Sequence, residues 1–255
     1  MESKKSLMIF GHPSHELAVL GLIQRDHPDI IFLTDGGCPS RLKQSREGLR
    51  AAAHQGTIQC FDVPEASLYD ALLGCDKSLP SEIASSLRRV IVEMNPERIY
   101  CDAVEHYNPV HDITLPLVLS ALRGYPLAEL LEVPLVYEDE GSPGLFHIQR
   151  VPPPLQDRRL TYFLTDSQLD VKEFARDHIY LNLREQAGPE FMSPKRDYMQ
   201  REEVLQSRSI PVPLGSGRRL RYENRGMLLK DQGKVREFIT YKNHFLPLVD
   251  SLLGP

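Results

Sequence analysis

Two histidines lie close together near the start of the chain, where residues 10–16 read Phe-Gly-His-Pro-Ser-His-Glu. His12 and His15 are three residues apart, a spacing at which two side chains near a helix start can turn toward one point. Imidazole nitrogen is a common ligand of zinc. The pattern therefore predicts one half of a metal site, and at least one further ligand must come from elsewhere in the chain.

The residues around these histidines predict a strand followed by a helix. Residues 7–10 form an apolar run of strand length, Gly11 and Pro13 interrupt it, and residues 16–23 continue as an apolar segment long enough for a buried helix. His12 and His15 are thus placed on the bend between two buried elements.

Similar strands and helices alternate along the first half of the chain. This alternation predicts right-handed βαβ units, and therefore an α/β fold with a Rossmann-like, mostly parallel sheet flanked by helices. We predict further strands at 29–34, 57–63, 98–101 and 135–138, and further helices at about 41–55, 81–94 and 113–122.

The composition of the chain changes near the Pro-Pro-Pro run at 152–154. We predict a single domain over 1–255, with a Rossmann-like metal-binding core over about 1–139. Residues from about 140 to 255 are expected to form a C-terminal cap and substrate-binding region over the sheet. Helices are predicted there at about 167–183 and 245–252.

The charge and the apolar content exclude several classes of protein. Of the 255 residues, 41% are hydrophobic, which is enough for one large core. Charged residues make up 25%, and the net charge of -5 predicts no basic surface. No apolar run reaches the roughly 18 residues of a membrane span. We therefore expect neither nucleic acid nor membrane as a partner. Four cysteines without a Cys-x-x-Cys pair are typical of reduced thiols, and we expect a cytoplasmic protein.

The remaining metal ligand is expected in the loop after the fourth strand. Open parallel sheets bind ligands beyond the carboxyl ends of their strands, where the strand order reverses, and this point usually lies between the first and fourth strands. The loop at 103–112 contains His106 and His111. Topology brings this loop to His12 and His15, but it leaves the choice between His106 and His111 open.

Four short motifs occur in the first half of the chain. They are Gly-His-Pro-Ser-His-Glu at 11–16, Leu-Thr-Asp-Gly-Gly at 33–37, Arg-Glu at 46–47 with Ala-Ala at 51–52, and Asn-Pro-Val-His at 108–111. Together they resemble the PIG-L/LmbE family of metal-dependent N-deacetylases. The resemblance implies one Zn²⁺ ion bound by His12, His15 and His111, with iron or another divalent metal as an alternative. His15 stands where the family has an aspartate ligand.

Two further positions differ from the family pattern. Ser14 replaces the aspartate that serves as catalytic base, and Asn108 replaces the first histidine of the second motif. A hydroxyl does not accept a proton at neutral pH as a carboxylate does, and an amide does not supply one. We therefore consider Asp35 and Asp102, at the ends of the second and fourth strands, as replacement bases, and His106 as a replacement acid. Asn108 is retained as a catalytic candidate.

Three residues are candidates for substrate binding. Ser14 lies between the predicted ligands, and Tyr107 precedes the second motif. Arg46 matches a family arginine near the polar groups of the substrate, although Arg41 and Lys43 are close enough in sequence to leave its register open.

The resemblance implies a zinc-dependent hydrolase that removes an acetyl group from the amide nitrogen of an amino sugar or a related small polar metabolite. The expected partner is thus a small molecule, an N-acylated sugar, and a homo-oligomer is left open. Two alternatives follow from the substitutions at positions 14, 15 and 108. One is a three-histidine site, with iron for example, that performs non-hydrolytic chemistry, and the other is a binding protein that has lost turnover.

Overall fold

The fold is centred on a mixed sheet of seven strands in a computed structural model that describes residues 4–126, 129–139, 142, 144–186, 196–207 and 219–254. The seven strands are β1 (Ser6–Phe10), β2 (Asp29–Thr34), β3 (Ile58–Val63), β4 (Arg98–Asp102), β5 (Glu129–Val133), β8 (Arg159–Phe163) and β9 (Arg201–Gln206). A separate hairpin joins β6 (Val136–Glu138) to β7 (Phe146–Ile148). The mostly parallel, Rossmann-like sheet predicted from the sequence is confirmed.

The strand order is β3-β2-β1-β4-β5-β9-β8, and the first five of these strands run parallel. In the centre, Ile9 pairs with Ile31 of β2 on one side and with Cys101 of β4 on the other. The chain thus leaves β1 in one direction for β2 and later returns to its other side with β4. The reversal of strand order lies between β1 and β4, as predicted.

Ten helices are present in the described part of the chain. They are α1 (Leu20–Asp26), α2 (Pro39–Ala51), α3 (Glu65–Leu73), α4 (Ser78–Met94), α5 (Pro109–Ala121), α6 (Asp166–Phe174), α7 (Leu181–Gln186), α8 (Arg196–Met199), α9 (Arg221–Asp231) and α10 (Leu246–Leu253). None of these helices is long and apolar enough to cross a membrane.

Several element boundaries differ from the predicted ones. The predicted helix at 16–23 is a 3-10 turn, His15–Val19, followed by the short α1. Helix α5 begins earlier than predicted because Asn108 caps its N-terminus and Pro109 takes the first helical position. Helix α3 and strands β5 and β9 were not predicted.

The hydrophobic core lies on both faces of the sheet. Alternate residues of β1 point to opposite faces. Leu7 and Ile9 therefore belong to the core under α4, α5 and α10, whereas Met8 and Phe10 belong to the core under α1 and α2. The later part of the chain adds β9 antiparallel to β5, with β8 at the sheet edge. Residues after 140 thus extend the sheet beyond β5.

Candidate metal centre

The three predicted ligand histidines meet at the carboxyl end of β1 and β4. The Nε2 atom of His111 lies 3.1 Å from Nε2 of His12 and 3.1 Å from Nε2 of His15. One ring nitrogen from each residue falls within 4.8 Å of the other two, and all three side chains are buried. The structure thus brings His111, rather than His106, to the two histidines of the bend.

The rings of His12 and His15 are held from behind by hydrogen bonds to their other nitrogens, whereas Nδ1 of His111 has no hydrogen-bond partner among the described residues. Nδ1 of His12 lies 2.9 Å from the carbonyl oxygen of Pro13, and Nδ1 of His15 lies 2.8 Å from Oδ2 of Asp102. Both neighbours are acceptors, so each Nδ1 carries the proton and each Nε2 presents a lone pair. This is the tautomer that binds a metal ion through Nε2.

Burial keeps the three imidazoles neutral. It lowers the pKa of His12, His15 and His111 well below the ordinary value, and for His12 and His111 the neighbouring ligand histidines lower it further. Three neutral imidazoles thus bring one ring nitrogen each to within 4.8 Å of one another. The donor set therefore fits a divalent cation, and zinc accepts such a set.

The bend between β1 and the 3-10 turn orients His12 and His15. Ser14 adopts a left-handed conformation with φ of 86°. Its backbone N–H donates to Glu16 Oε2 at 2.8 Å and to Ser45 Oγ at 2.9 Å. A side chain at Gly11 would be crowded, because a Cβ atom there would lie 3.0 Å from Thr114 Oγ1 and 3.1 Å from Asp102 Oδ2. These contacts fix the positions of the residues on either side of His12.

The three histidines open into a cavity of about 510 Å³. A pocket of this size accommodates a small polar molecule. Its described lining contains one carboxylate, that of Glu65, and several basic side chains, namely Arg41, Lys172, Arg176 and Arg225. Among the candidates from the sequence, Ser14, Tyr107 and Asn108 line it together with His12, His15 and His111.

The two predicted replacement bases are engaged elsewhere. Asp102 is fully buried behind His15, and its Oδ2 also accepts the Gly11 N–H at 2.7 Å. Burial raises the pKa of Asp102 to about 7. Asp35 accepts the backbone N–H groups of Gly37 at 2.8 Å and Glu65 at 3.0 Å, so it ties a turn to the start of α3. Neither carboxylate belongs to the cavity lining.

His106 is buried beside the site and does not line the cavity. Its ring meets that of Tyr241 edge to face with centroids 5.2 Å apart, and neither ring nitrogen has a hydrogen-bond partner among the described residues. Burial lowers the pKa of His106 to about 4.

Asn108 and Tyr107 reach the cavity from the loop before α5. The Oδ1 atom of Asn108 accepts the Val110 N–H at 2.9 Å and the Tyr69 hydroxyl at 2.8 Å. Asn108 can therefore donate hydrogen bonds to a bound molecule through its amide N–H groups. The ring of Tyr107 lies nearly parallel to that of His111, with centroids 6.5 Å apart.

The arginine that reaches the histidines is Arg41. Arg46 is exposed on α2 and does not line the cavity. Arg41 lies one and a half turns earlier on the same helix, is buried, and places Nη1 3.0 Å from Nδ1 of His12. Arg41 and Arg46 lie on the same helix, and the sequence alone does not show which of its basic side chains turns toward the cavity.

Sequence reasoning also missed two cavity residues that lie far from the motifs. Glu65 begins α3, an element that was not predicted, and burial raises its pKa. Lys172 of α6 is buried, where its Nζ donates to Glu202 Oε1 at 2.6 Å and to the carbonyl of Ala18 at 2.8 Å. No local pattern around either residue signals a contribution to the site.

Comparison with known proteins supports the fold. No family model matches the sequence, and no curated protein matches it. The crystal structure of the A40926 pseudoaglycone deacetylase Dbv21 is similar with a TM-score of 0.55 at 14% identity, covering 80% of this chain and 97% of that one. The conserved protein TT1542 from Thermus thermophilus is similar with a TM-score of 0.53 at 19% identity, covering 85% and 99%.

A triple mutant of a deacetylase involved in teicoplanin biosynthesis is similar with a TM-score of 0.50 at 14% identity, covering 80% of this chain and 99% of that one. At such identities the likeness establishes a shared α/β fold. The fold and the site together define an α/β protein with three histidines grouped where the strand order of its sheet reverses, between β1 and β4.

Proposed function

We propose that this chain is a metal-dependent amide hydrolase that removes an acetyl group from the nitrogen of an amino sugar or a related small polar molecule. The observation that carries the proposal is the convergence of three neutral imidazoles on a cavity of about 510 Å³, with Nε2 of His111 3.1 Å from Nε2 of His12 and 3.1 Å from Nε2 of His15. The fold shared with the A40926 pseudoaglycone deacetylase and with a deacetylase of the teicoplanin biosynthetic pathway supports the same activity.

In this proposal His12, His15 and His111 hold one divalent metal ion, zinc by preference. Such an ion polarises an amide carbonyl and lowers the pKa of a bound water. The side chains of Ser14, Tyr107 and Asn108 border the same space and orient the substrate. Ser14 Oγ is buried without a hydrogen-bond partner among the described residues, so it is available to a bound molecule.

Glu65 is our candidate for the proton acceptor. Ser14 occupies the position of the base in the resembled family, and Asp102 is held by His15 and Gly11. Glu65 is the carboxylate in the described cavity lining, and its burial makes it a stronger base than a solvated glutamate. It would take a proton from the attacking water and return it to the amine when the C–N bond breaks.

One observation favours a second candidate, a metal-binding protein without hydrolytic turnover. The positions of the family base and acid carry Ser14 and Asn108, and Asn108 Oδ1 is already committed to Val110 and Tyr69. If Glu65 does not act as the base, the cavity retains the metal ligands and the substrate contacts but lacks a group to move the proton.

Metal analysis and acetate release distinguish the two candidates. We expect protein purified without a histidine tag to contain about one equivalent of zinc, with loss of the metal in His111→Ala. Acetate release should be assayed on a panel of N-acetyl sugars with Glu65→Gln alongside. The hydrolase predicts turnover that falls about 100-fold or more in Glu65→Gln while the zinc content is unchanged.

Zinc-loaded protein that releases no acetate from the whole panel would count against hydrolysis and favour the second candidate. One equivalent of iron in place of zinc would instead direct attention to non-hydrolytic chemistry at the three-histidine site.

A further inference from the structure

A strained residue lies between the two histidines of the bend. Ser14 has a φ of 86°, in the left-handed region of backbone conformation. A residue that carries a side chain keeps such a conformation only where the surrounding structure holds it there. Because Ser14 directly precedes His15 and follows His12 by two positions, the contacts that hold Ser14 also set the directions of both imidazoles.

The carboxylate of Glu16 is one of these contacts. Its Oε2 accepts the Ser14 N–H at 2.8 Å, and the side chain is fully buried. A buried carboxylate is costly unless hydrogen-bond donors surround it. The donors around Glu16 therefore decide whether it keeps its place under the bend.

Tyr180 supplies a donor to the other oxygen of Glu16. Its hydroxyl donates to Glu16 Oε1 at 2.7 Å, and the tyrosine is fully buried. Tyr180 follows the π-helical turn Ala175–Ile179 and lies 164 residues after Glu16 in the chain. It is not one of the described residues that line the cavity. Its influence on the three histidines must therefore pass through Glu16.

Helix α2 leaves space for the Tyr180 ring at Gly48. A Cβ atom at position 48 would lie 2.6 Å from two of the ring carbons, Cε2 and Cζ, which is well inside contact distance. Glycine inside a helix is unfavourable in itself. The glycine in α2 thus has a packing reason, because it lets the tyrosine hydroxyl reach Glu16.

We propose that Tyr180 is a positioning residue for the metal centre, which acts through Glu16 to hold the bend at Ser14 and so to direct His12 and His15 toward the metal ion. The path consists of two hydrogen bonds to one carboxylate, one from the tyrosine hydroxyl and one from the Ser14 N–H. The inference rests on the metal site of the proposed function. It assigns the later part of the chain a role in the geometry of that site.

The test is metal binding by Tyr180→Phe, which keeps the ring and removes only the hydroxyl. We expect zinc affinity, measured with a chromophoric chelator, to fall about tenfold, as is typical when an outer group that orients ligands is removed. Zinc has a full d shell, so the geometry is measured with Co²⁺ in its place, and the visible absorption bands of bound Co²⁺ should shift.

Tyr100→Phe is the matched control. Tyr100 is also fully buried, but its hydroxyl contacts Arg98, 3.2 Å away, rather than the bend. This variant should keep the zinc affinity and the cobalt spectrum of the wild type. Thermal unfolding of both variants shows how much stability each hydroxyl contributes.

Two further variants test the path itself. Gly48→Ala displaces the Tyr180 ring from the side of α2 and should shift the cobalt spectrum in the same way as Tyr180→Phe. In a Glu16→Gln background, Tyr180→Phe should reduce zinc affinity little further, because both changes interrupt the same path. A full additional tenfold loss in that background would contradict an action through Glu16.

A purely structural role predicts a different result. If Tyr180→Phe lowers the melting temperature but leaves the zinc affinity and the cobalt spectrum unchanged, the proposal is overturned. Equal losses of affinity in Tyr180→Phe and Tyr100→Phe would overturn it as well.

None of these measurements requires turnover. Reduced affinity and a shifted spectrum in Tyr180→Phe, together with no acetate release from any N-acetyl sugar by the wild type, would refute the proposed hydrolase and leave the positioning role standing. Acetate release by the wild type, with unchanged metal binding in Tyr180→Phe, would support the hydrolase and refute the positioning role.

Discussion

At the scale of single residues, the orientation of His15 depends on a carboxylate that lies behind its ring. Asp102 Oδ2 accepts from His15 Nδ1 at 2.8 Å and is itself fully buried. The imidazole thus faces its two partner histidines while the carboxylate fixes its tautomer.

We expect Asp102→Asn to weaken zinc binding about 10–100-fold, because an asparagine amide no longer selects the His15 tautomer that presents Nε2. Competition with a chromophoric chelator measures the change. Asp62→Asn, at an exposed position, is the matched control and should bind zinc as the wild type does. An unchanged affinity in Asp102→Asn would show that His15 does not depend on the carboxylate.

The cysteines provide a second test at this scale. A hydrogen bond with Ser40 lowers the pKa of Cys38, which precedes α2, whereas burial raises the pKa of Cys60 to about 11. Since the thiolate is the reacting form, Cys38 should be alkylated by iodoacetamide at a lower pH than Cys60. Peptide mass spectrometry across pH 7–10 measures both rates, and Ser40→Ala should move the Cys38 profile to higher pH. Equal profiles for the two thiols would contradict the contact.

At the scale of elements, β9 ties the later part of the chain to the first βα unit. Glu202 of β9 accepts the backbone N–H groups of Gly21 at 2.9 Å and Leu22 at 2.8 Å, in the first turn of α1. The same carboxylate pairs with Lys172 of α6 in a buried contact. One side chain thereby caps the helix that follows the bend carrying His12 and His15, and it neutralises a lysine in the cavity wall.

Glu202→Gln should lower the free energy of unfolding by about 3–5 kcal/mol, because it leaves Lys172 buried without a counterion. Urea denaturation measures the change, and Glu47→Gln on the exposed face of α2 should have little effect. Combining Glu202→Gln with Lys172→Met removes the buried charge and should recover part of the loss. A double variant as unstable as the single one would show that the cap on α1, and not the ion pair, is the larger contribution.

The same strand shows why some elements could not be predicted. Strands β1, β2 and β4 are buried on both faces and read as continuous apolar runs, so the sequence marks them clearly. Strand β9 reads Arg-Glu-Glu-Val-Leu-Gln, yet Glu202 and Glu203 are buried. Acidic residues normally mark an exposed segment. Only the three-dimensional arrangement, with Lys172 beside one of them, reveals their burial.

The part of the candidate site that lies in sequence motifs could be predicted. His12, His15 and His111 follow or precede recognisable elements, so topology and resemblance together bring them to one point. Arg41 and Glu65 depend on side-chain direction and on helix α3, which follows Pro64 and spans only nine residues. Their position in the cavity is set by packing between elements that are distant in sequence, and no local pattern encodes it.

At the scale of the whole molecule, the proposed metal joins two segments of the chain that are 99 residues apart at His12 and His111. A ligand that binds only the folded state stabilises it by mass action, by about 2.7 kcal/mol at a concentration 100 times its dissociation constant. For a protein of this size we therefore expect zinc to raise the melting temperature by about 5–10 °C and a chelator to reverse the rise. His111→Ala should lose the response, and His178→Ala, at an exposed position, should keep it. Because the ligands lie on both sides of the strand-order reversal, a rise of the same size in His111→Ala would place the zinc elsewhere and remove the basis for the proposed function.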